Sequence, residues 1–206
     1  YRIVLSEGLD VEVVSGGELY TALQAGVPGR QIHFQGNNKS IGELTMALEN
    51  GVGDIVVDNL SELERLESLA AQRGVTAPIS FRIKPGIDAH THEFIRTGQV
   101  DSKFGLDLAS GEAMDALRRA SELEHVVVKG LHCHIGSQIL EKTPFVHAAE
   151  VMLQFFAQVR EELGTTFEHL NLGGGFGIHY TERMTPSPMR NTWRMSLPWF
   201  TPSAGS

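Results

Sequence analysis

The sequence predicts an α/β protein of the (β/α)8 type: an incomplete barrel holding about strands two to seven of the eight. Three observations lead there. Short β-branched runs alternate with amphipathic helices, the pattern of a parallel sheet. Six such runs are visible, enough to complete a doubly wound sheet but not an eight-stranded barrel. The runs are also two-faced. Ile79, Phe81 and Ile83 alternate with Ser80, Arg82 and Lys84, and Leu131, Cys133 and Ile135 alternate with His132 and His134. An open sheet covered by helices on both sides is apolar on both. One apolar face, and another that turns polar toward the C-terminal strand ends, is the barrel pattern.

The elements follow in order. Tyr1–Glu7 reads as a helical segment. Strands are expected at Val11–Val14, Gln31–Phe34, Asp54–Val57, Ile79–Ile83, Val126–Cys133 and His169–Leu172, each bounded by Gly, Asn, Asp or Pro. Ser40-Ile-Gly-Glu43 and Ser61-Glu-Leu-Glu64 have the form of capping boxes, a hydroxyl N-cap with Glu three residues on. Thr143-Pro144 reads as N-cap and first-turn proline. The helix that follows places Phe145, Ala148, Ala149, Met152, Leu153, Phe156 and Val159 on one stripe, and Gly164 stops it.

Composition narrows the function classes. The 206 residues carry 17 basic and 25 acidic side chains, a net charge of −8, which argues against nucleic acid as the main partner. No apolar run approaches the roughly 18 residues of a membrane span, and no signal peptide is seen. The single cysteine, Cys133, fits a reducing, cytoplasmic setting and reads as a buried structural thiol. Residues 1–182 hold all 25 acids against 14 bases. Residues 183–206 hold three arginines, no acid, both tryptophans and half of the methionines and prolines, with no apolar period. The domain is therefore expected over 1–182, followed by a non-homologous tail over 183–206, disordered or produced by a frameshift.

Several motifs could carry chemistry. Asn171-Leu-Gly-Gly-Gly-Phe-Gly177 places three glycines at a strand end, where backbone N–H groups approach an anion closely, or where a tight turn needs them. It lacks the dinucleotide-binding spacing. Gly130-Leu-His-Cys-His-Ile-Gly-Ser-Gln138 puts His132 and His134 on one face, as metal ligands, as a platform under a flat cofactor with Ser137 on a phosphate, or as side chains satisfied in a polar interior. Gly36-Asn-Asn-Lys-Ser40 lacks the P-loop spacing, which excludes that mode of ATP binding. Val14-Ser-Gly-Gly-Glu18 lies between a strand and a helix, at the catalytic end of the barrel, or serves as a helix N-cap. The long segment from Pro85 to Phe104 has the length of a functional loop, and His90 and His92 on it read as solvated.

In order along residues 8–182 the sequence contains Val13-Val-Ser-Gly-Gly-Glu-Leu-Tyr, His33-Phe-Gln-Gly-Asn-Asn-Lys-Ser, Val56-Val-Asp-Asn, Arg82-Ile-Lys-Pro-Gly, Thr97-Gly-Gln-Val-Asp-Ser-Lys-Phe-Gly, the His132/His134 segment and Leu170-Asn-Leu-Gly-Gly-Gly-Phe-Gly-Ile-His-Tyr. This ordered set resembles the diaminopimelate decarboxylases of the alanine-racemase-like fold. The resemblance implies a pyridoxal 5′-phosphate enzyme that removes CO₂ from meso-2,6-diaminopimelate to give L-lysine, working as a homodimer. It implies that His134 stacks on the cofactor ring, that Ser137, Gly173, Gly174 and Gly175 hold its phosphate, that Arg82 lines the interior near the ring, and that Lys103 lies toward the dimer interface. It places the Schiff-base lysine outside this chain, with neither Lys39 nor Lys84 in its motif, so no catalytic residue is assigned. A Glu-Pro-Gly-Arg element and a C-terminal β domain are also not in the sequence. The chain thus reads as an internal fragment expected to form no lysine by itself. Sibling decarboxylases of arginine, ornithine or carboxynorspermidine, a metal-dependent barrel hydrolase using His132 and His134, and a non-catalytic relative are the competing readings.

Overall fold

The computed structural model describes residues 1–87 and 103–180. His90, His92, most of the Thr97–Gly105 motif and the 183–206 tail lie outside the described residues. The chain divides into two compact units. The first contains Tyr1–Ile83, Phe104–His132 and Phe167–Leu170; the second contains the described residues of Lys84–Lys103, Cys133–Thr166 and Asn171–Ser206.

The first unit is built on strands β1 (Val11–Val13), β2 (Ile32–Phe34), β3 (Asp54–Val57), β4 (Ala77–Lys84), β6 (Val126–Cys133) and β7 (His169–Asn171), with the two-residue β5 (Leu106–Asp107) paired to β4. Their order in the sheet is the order in the sequence, β1-β2-β3-β4-β6-β7. A doubly wound sheet reverses direction at a switch point, whereas a barrel adds each strand beside the last. The first three pairs are parallel, with Val11 opposite Ile32, His33 opposite Asp54 and Ile55 opposite Ile79.

The sheet is curled. Strands β2 and β7 are separated by three others, which in a flat sheet puts them about 19 Å apart. Yet the rings of His33 and His169 lie with centroids 6.1 Å apart, edge to face. Only a sheet bent toward its polar face brings them together. Gly130 on β6 makes room for this contact: a Cβ there would lie 2.6 Å from the His169 ring and would overlap the His169 carbonyl.

The outer face is apolar. Val13, Ile32, Phe34, Ile55, Val57, Ile79, Phe81 and Leu131 are all fully buried. Helix α2 (Gly16–Gln24) packs on β1 and α4 (Leu60–Arg73) on β3, with α3 (Ile41–Glu49) between them. Each such side chain contributes about 1.5–3 kcal/mol on burial. The inner face is polar along its length: Asp54 at the start of β3, Ser80 midway along β4 and His132 near the end of β6 are each 1% exposed. The sequence expectation placed polarity only toward the C-terminal strand ends. Asp54 and His33 correct this, because they pair with each other inside the curl.

Other elements differ in detail. Helix α1 (Arg2–Ser6) forms as expected. Ser40 makes its capping box with Glu43 in both directions. The second expected box does not form: α4 begins two residues earlier, capped by Asn59, whose side chain accepts the Glu62 N–H. Asparagine is among the strongest N-caps, so Ser61 falls inside the first turn. Helix α5 (Glu112–Ser121), opened by Gly111, was not singled out from sequence. In the second unit, α6 (Thr143–Leu163) is capped by Lys142 rather than Thr143, and it buries Phe155 where the stripe predicted Phe156. Gly164 ends it in the left-handed conformation, as expected. Substituting Gly130→Ala is expected to lower unfolding stability by about 1–3 kcal/mol in urea titration, because the added methyl meets backbone that cannot move aside.

Candidate functional site

The glycine turn of the second unit is shaped by its backbone. Asn171 ends β7, and its side-chain oxygen accepts the Gly173 N–H at 2.8 Å. Gly173 and Gly175 take φ of +71° and +97°, which disfavour any side chain. They also run against neighbouring backbone: a Cβ on Gly173 would lie 2.6 Å from the Cys133 carbonyl, and one on Gly175 would overlap the Gly136 carbonyl. Gly174 between them faces open space, with nothing within 4 Å of its Cβ position. Alternating backbone hands of this sort form an anion nest.

The facing segment, 134–140, is zipped to the turn. Ile139 N–H donates to Gly175 O at 2.9 Å, and Gly177 N–H returns to Ile139 O at 2.8 Å. Ile139 and Phe176 form a parallel bridge. Gln138 adopts a left-handed φ of +55°, the one described non-glycine residue to do so, and its side-chain oxygen accepts the Ile178 N–H. Strain of this sort persists only where surroundings enforce it. Phe145 stacks on Phe176 with centroids 4.3 Å apart. His134, half-buried, brings Nδ1 to 3.0 Å from the Gly173 Cβ position, so its imidazole lies against the glycine turn. Ser137 is exposed nearby in the same segment. A flat ring, an open glycine and an exposed hydroxyl therefore belong to one small unit, and they fit a ligand with a planar ring and a phosphate.

Arg82 stands in the first unit on β4. Its Nη1 lies 3.7 Å from Asp58 Oδ1, and its guanidinium sits over the Phe104 ring, 5.1 Å from the centroid. Lys103 is exposed. Cys133 is a buried free thiol, as expected. Among the described residues no group of three or more His, Cys, Asp or Glu is placed to hold a metal ion, so the metal reading of His132 and His134 finds no third ligand there.

Sequence reasoning missed a set of buried and half-buried charges. Lys39 Nζ donates to Gly36 O at 2.6 Å and Val56 O at 2.7 Å, and pairs with Glu62 Oε1 at 3.0 Å. The other Glu62 oxygen accepts the Asp58 N–H. Burial pushes the Lys39 ammonium down and the Glu62 carboxyl up, each partly restored by the other. One ammonium thus joins the ends of β2 and β3 to the start of α4. Glu43 does similar work at lower burial. It accepts from the Ser40 N–H and hydroxyl and from the Gly16 N–H, and these bonds hold its carboxyl below the usual range.

A (β/α) sheet whose last strand runs into a glycine turn backed by an imidazole defines the class: barrel proteins that hold a phosphorylated cofactor. Residues 1–204 match the family described as the pyridoxal-dependent decarboxylases, pyridoxal binding domain, and the chain belongs to that family. It is 53% identical over 187 residues to a diaminopimelate decarboxylase of Bacillus methanolicus, covering 91% of this chain and 43% of that one. It is 51% identical over 185 residues to that of Bacillus subtilis, covering 90% and 42%. Among solved structures, the diaminopimelate decarboxylase of M. jannaschii superposes with a TM-score of 0.84 at 39% identity, covering 95% of this chain and 44% of that chain. The enzyme of Helicobacter pylori complexed with L-lysine gives 0.81 at 30% identity, covering 96% and 50%. The partial (β/α)8 fold read from the sequence is the fold of these proteins. The chain spans less than half the length of the curated relatives it matches.

Replacing Lys39 by Met, or Glu62 by Gln, is expected to cost about 3–5 kcal/mol of unfolding free energy, because the partner is left buried and uncompensated. Combining Lys39→Met with Glu62→Gln should cost less than the sum of the two single changes, as read in a urea double-mutant cycle.

Proposed function

We propose that this chain is the cofactor-binding part of a pyridoxal 5′-phosphate-dependent diaminopimelate decarboxylase, which converts meso-2,6-diaminopimelate to L-lysine and CO₂. The observation that carries the reading is the second unit's turn, where His134 lies against Gly173–Gly175 while Gly174 stays open. The substrate assignment is supported by identities of 51–53% to curated enzymes of that name.

In this reading the Gly174 and Gly175 N–H groups and the Ser137 hydroxyl hold the phosphate. Gly173 shapes the turn, since its own N–H is spent on Asn171. The His134 imidazole supports one face of the ring. Arg82, steadied by Asp58 and Phe104, keeps a fixed positive charge on the inner face of β4. When bound, the cofactor's ring accepts the electrons left by departing CO₂. The protein's part is to orient the ring and the breaking bond, which is where proximity lowers the barrier. A homodimer with Lys103 near its interface is part of the same proposal, as is a cytoplasmic setting, which the free thiol of Cys133 suits. Neither nucleic acid nor membrane is a partner in this reading, given the net charge of −8.

The test is made on the protein carrying this chain at its natural length. Meso-diaminopimelate should be consumed with equimolar L-lysine and CO₂, dependent on added pyridoxal phosphate. A preference for arginine or ornithine, or turnover indifferent to the cofactor, would overturn the assignment. Ser137→Ala should weaken pyridoxal phosphate binding about tenfold, the worth of one hydrogen bond to a charged group, as measured by equilibrium dialysis.

A further inference from the structure

The charged cluster inside the first unit lies outside the cofactor reading and does not depend on it. Asp54 opens β3 with its carboxylate 1% exposed. One of its oxygens lies 3.3 Å from His33 Nδ1 on β2 and 3.6 Å from His169 Nε2 on β7. The far nitrogen of His33 reaches Asp10 Oδ2 at 3.2 Å, and His169 Nε2 meets Ser80 Oγ on β4 at 3.2 Å. One carboxylate therefore bridges two imidazoles drawn from strands that are not neighbours.

We propose that His33, Asp54 and His169 form a proton-loaded clamp that holds the curled sheet closed across its interior, tight when His33 is protonated and slackened when it is neutral. The chemistry follows from burial. A carboxylate removed from water needs a compensating charge. The neighbouring side chains of β1 and Ser80 of β4 do not supply one. Glu12 and Asp10 beside it on the β1 side are acids, and Ser80 on β4 is neutral. Arg82 on β4 is directed to Asp58, and His132 on β6 is buried among the inner residues. The proton that balances Asp54 therefore resides on an imidazole, and His33 lies between two carboxylates.

The bond to Asp54, against desolvation and with help from Asp10, raises His33 above its ordinary 6.5. Desolvation opposes the charge on Asp54, but the imidazoles of His169 and His33 and the Ser80 hydroxyl outweigh it and hold the carboxyl at about 2. A raised histidine stabilises fully below its unfolded value and loses that contribution as pH rises through its folded value. A depressed aspartate stabilises above its unfolded 3.8 and loses that contribution as pH falls toward 2. The clamp is therefore tightest between about pH 4 and 6.5.

The test uses the 206-residue chain and two readouts. The His33 ring proton, assigned with His33→Gln, is titrated by NMR. The urea midpoint of unfolding is followed from pH 6 to 8.5. The expected results are a His33 midpoint above 6.5 and a urea midpoint that falls as pH rises. In Asp54→Asn and in His33→Gln that fall should be lost. A His33 midpoint at or below 6.5 would overturn the proposal, as would a wild-type urea midpoint flat across this range. So would retention of the full slope in His33→Gln, which keeps the test decisive should Asp54→Asn fail to fold.

Discussion

The first unit depends on one buried carboxylate. Asp54 sits where an apolar strand begins, and its charge is acceptable only because His33 and His169 come to it from either side. That requirement bends the sheet. Strands paired by their backbones twist relative to one another, and a bridge between β2 and β7 demands that the sheet also curl. The apolar outer face then turns toward the helices and the polar residues are gathered within. Gly130 is part of the same constraint, since any side chain there would occupy the place of the His169 ring.

Toward the other strand ends the problem is different. Loops leaving β1, β2 and β3 must be held still if they are to present groups to a ligand. Two acids and one lysine do this without forming regular structure. Glu43 gathers the N–H groups of Ser40 and Gly16, joining the starts of α3 and α2. Lys39 spends its donors on Gly36, Val56 and Glu62, joining three successive segments. Such buried pairs add little net stability over apolar packing, but they allow few alternative arrangements. In the second unit the backbone takes over this role: glycines packed against carbonyls leave one open position, Gly174, with an imidazole beside it. A ligand site built on backbone rather than on long side chains needs little ordering when its occupant arrives.

The relation between sequence and structure is clearest in particular residues. The alternation Ile79, Phe81, Ile83 against Ser80, Arg82, Lys84 was legible because strand side chains alternate by geometry alone. Ser40 and Glu43 could be paired for a similar reason, as a capping box depends on residues only three apart. Gly173–Gly175 were legible as a close-approach turn, and the motif order carried the family. Ser61 was misread because Asn59 is an equally good cap two residues earlier, and local pattern does not rank the two. The structural role of Lys39 was not legible, since its partners Val56 and Glu62 lie on other segments. The one available hint of the Asp54 cluster was an acid heading an apolar strand, which implies a buried charge in need of a partner.

By itself, then, the sequence determined much that is local: most of the segments that form strands and helices, which strand face is apolar, and where backbone must approach a ligand. Only the tertiary structure decided which charges meet. His33, Asp54 and His169 are separated by 21 and more residues along the chain, and Lys39 and Glu62 belong to different helix starts. Their encounters are set by the curl of the sheet and the register of its strands. A one-residue slip would turn each of these side chains to the opposite face, so the pairing of charges is a property of the folded register and is not written in any single segment.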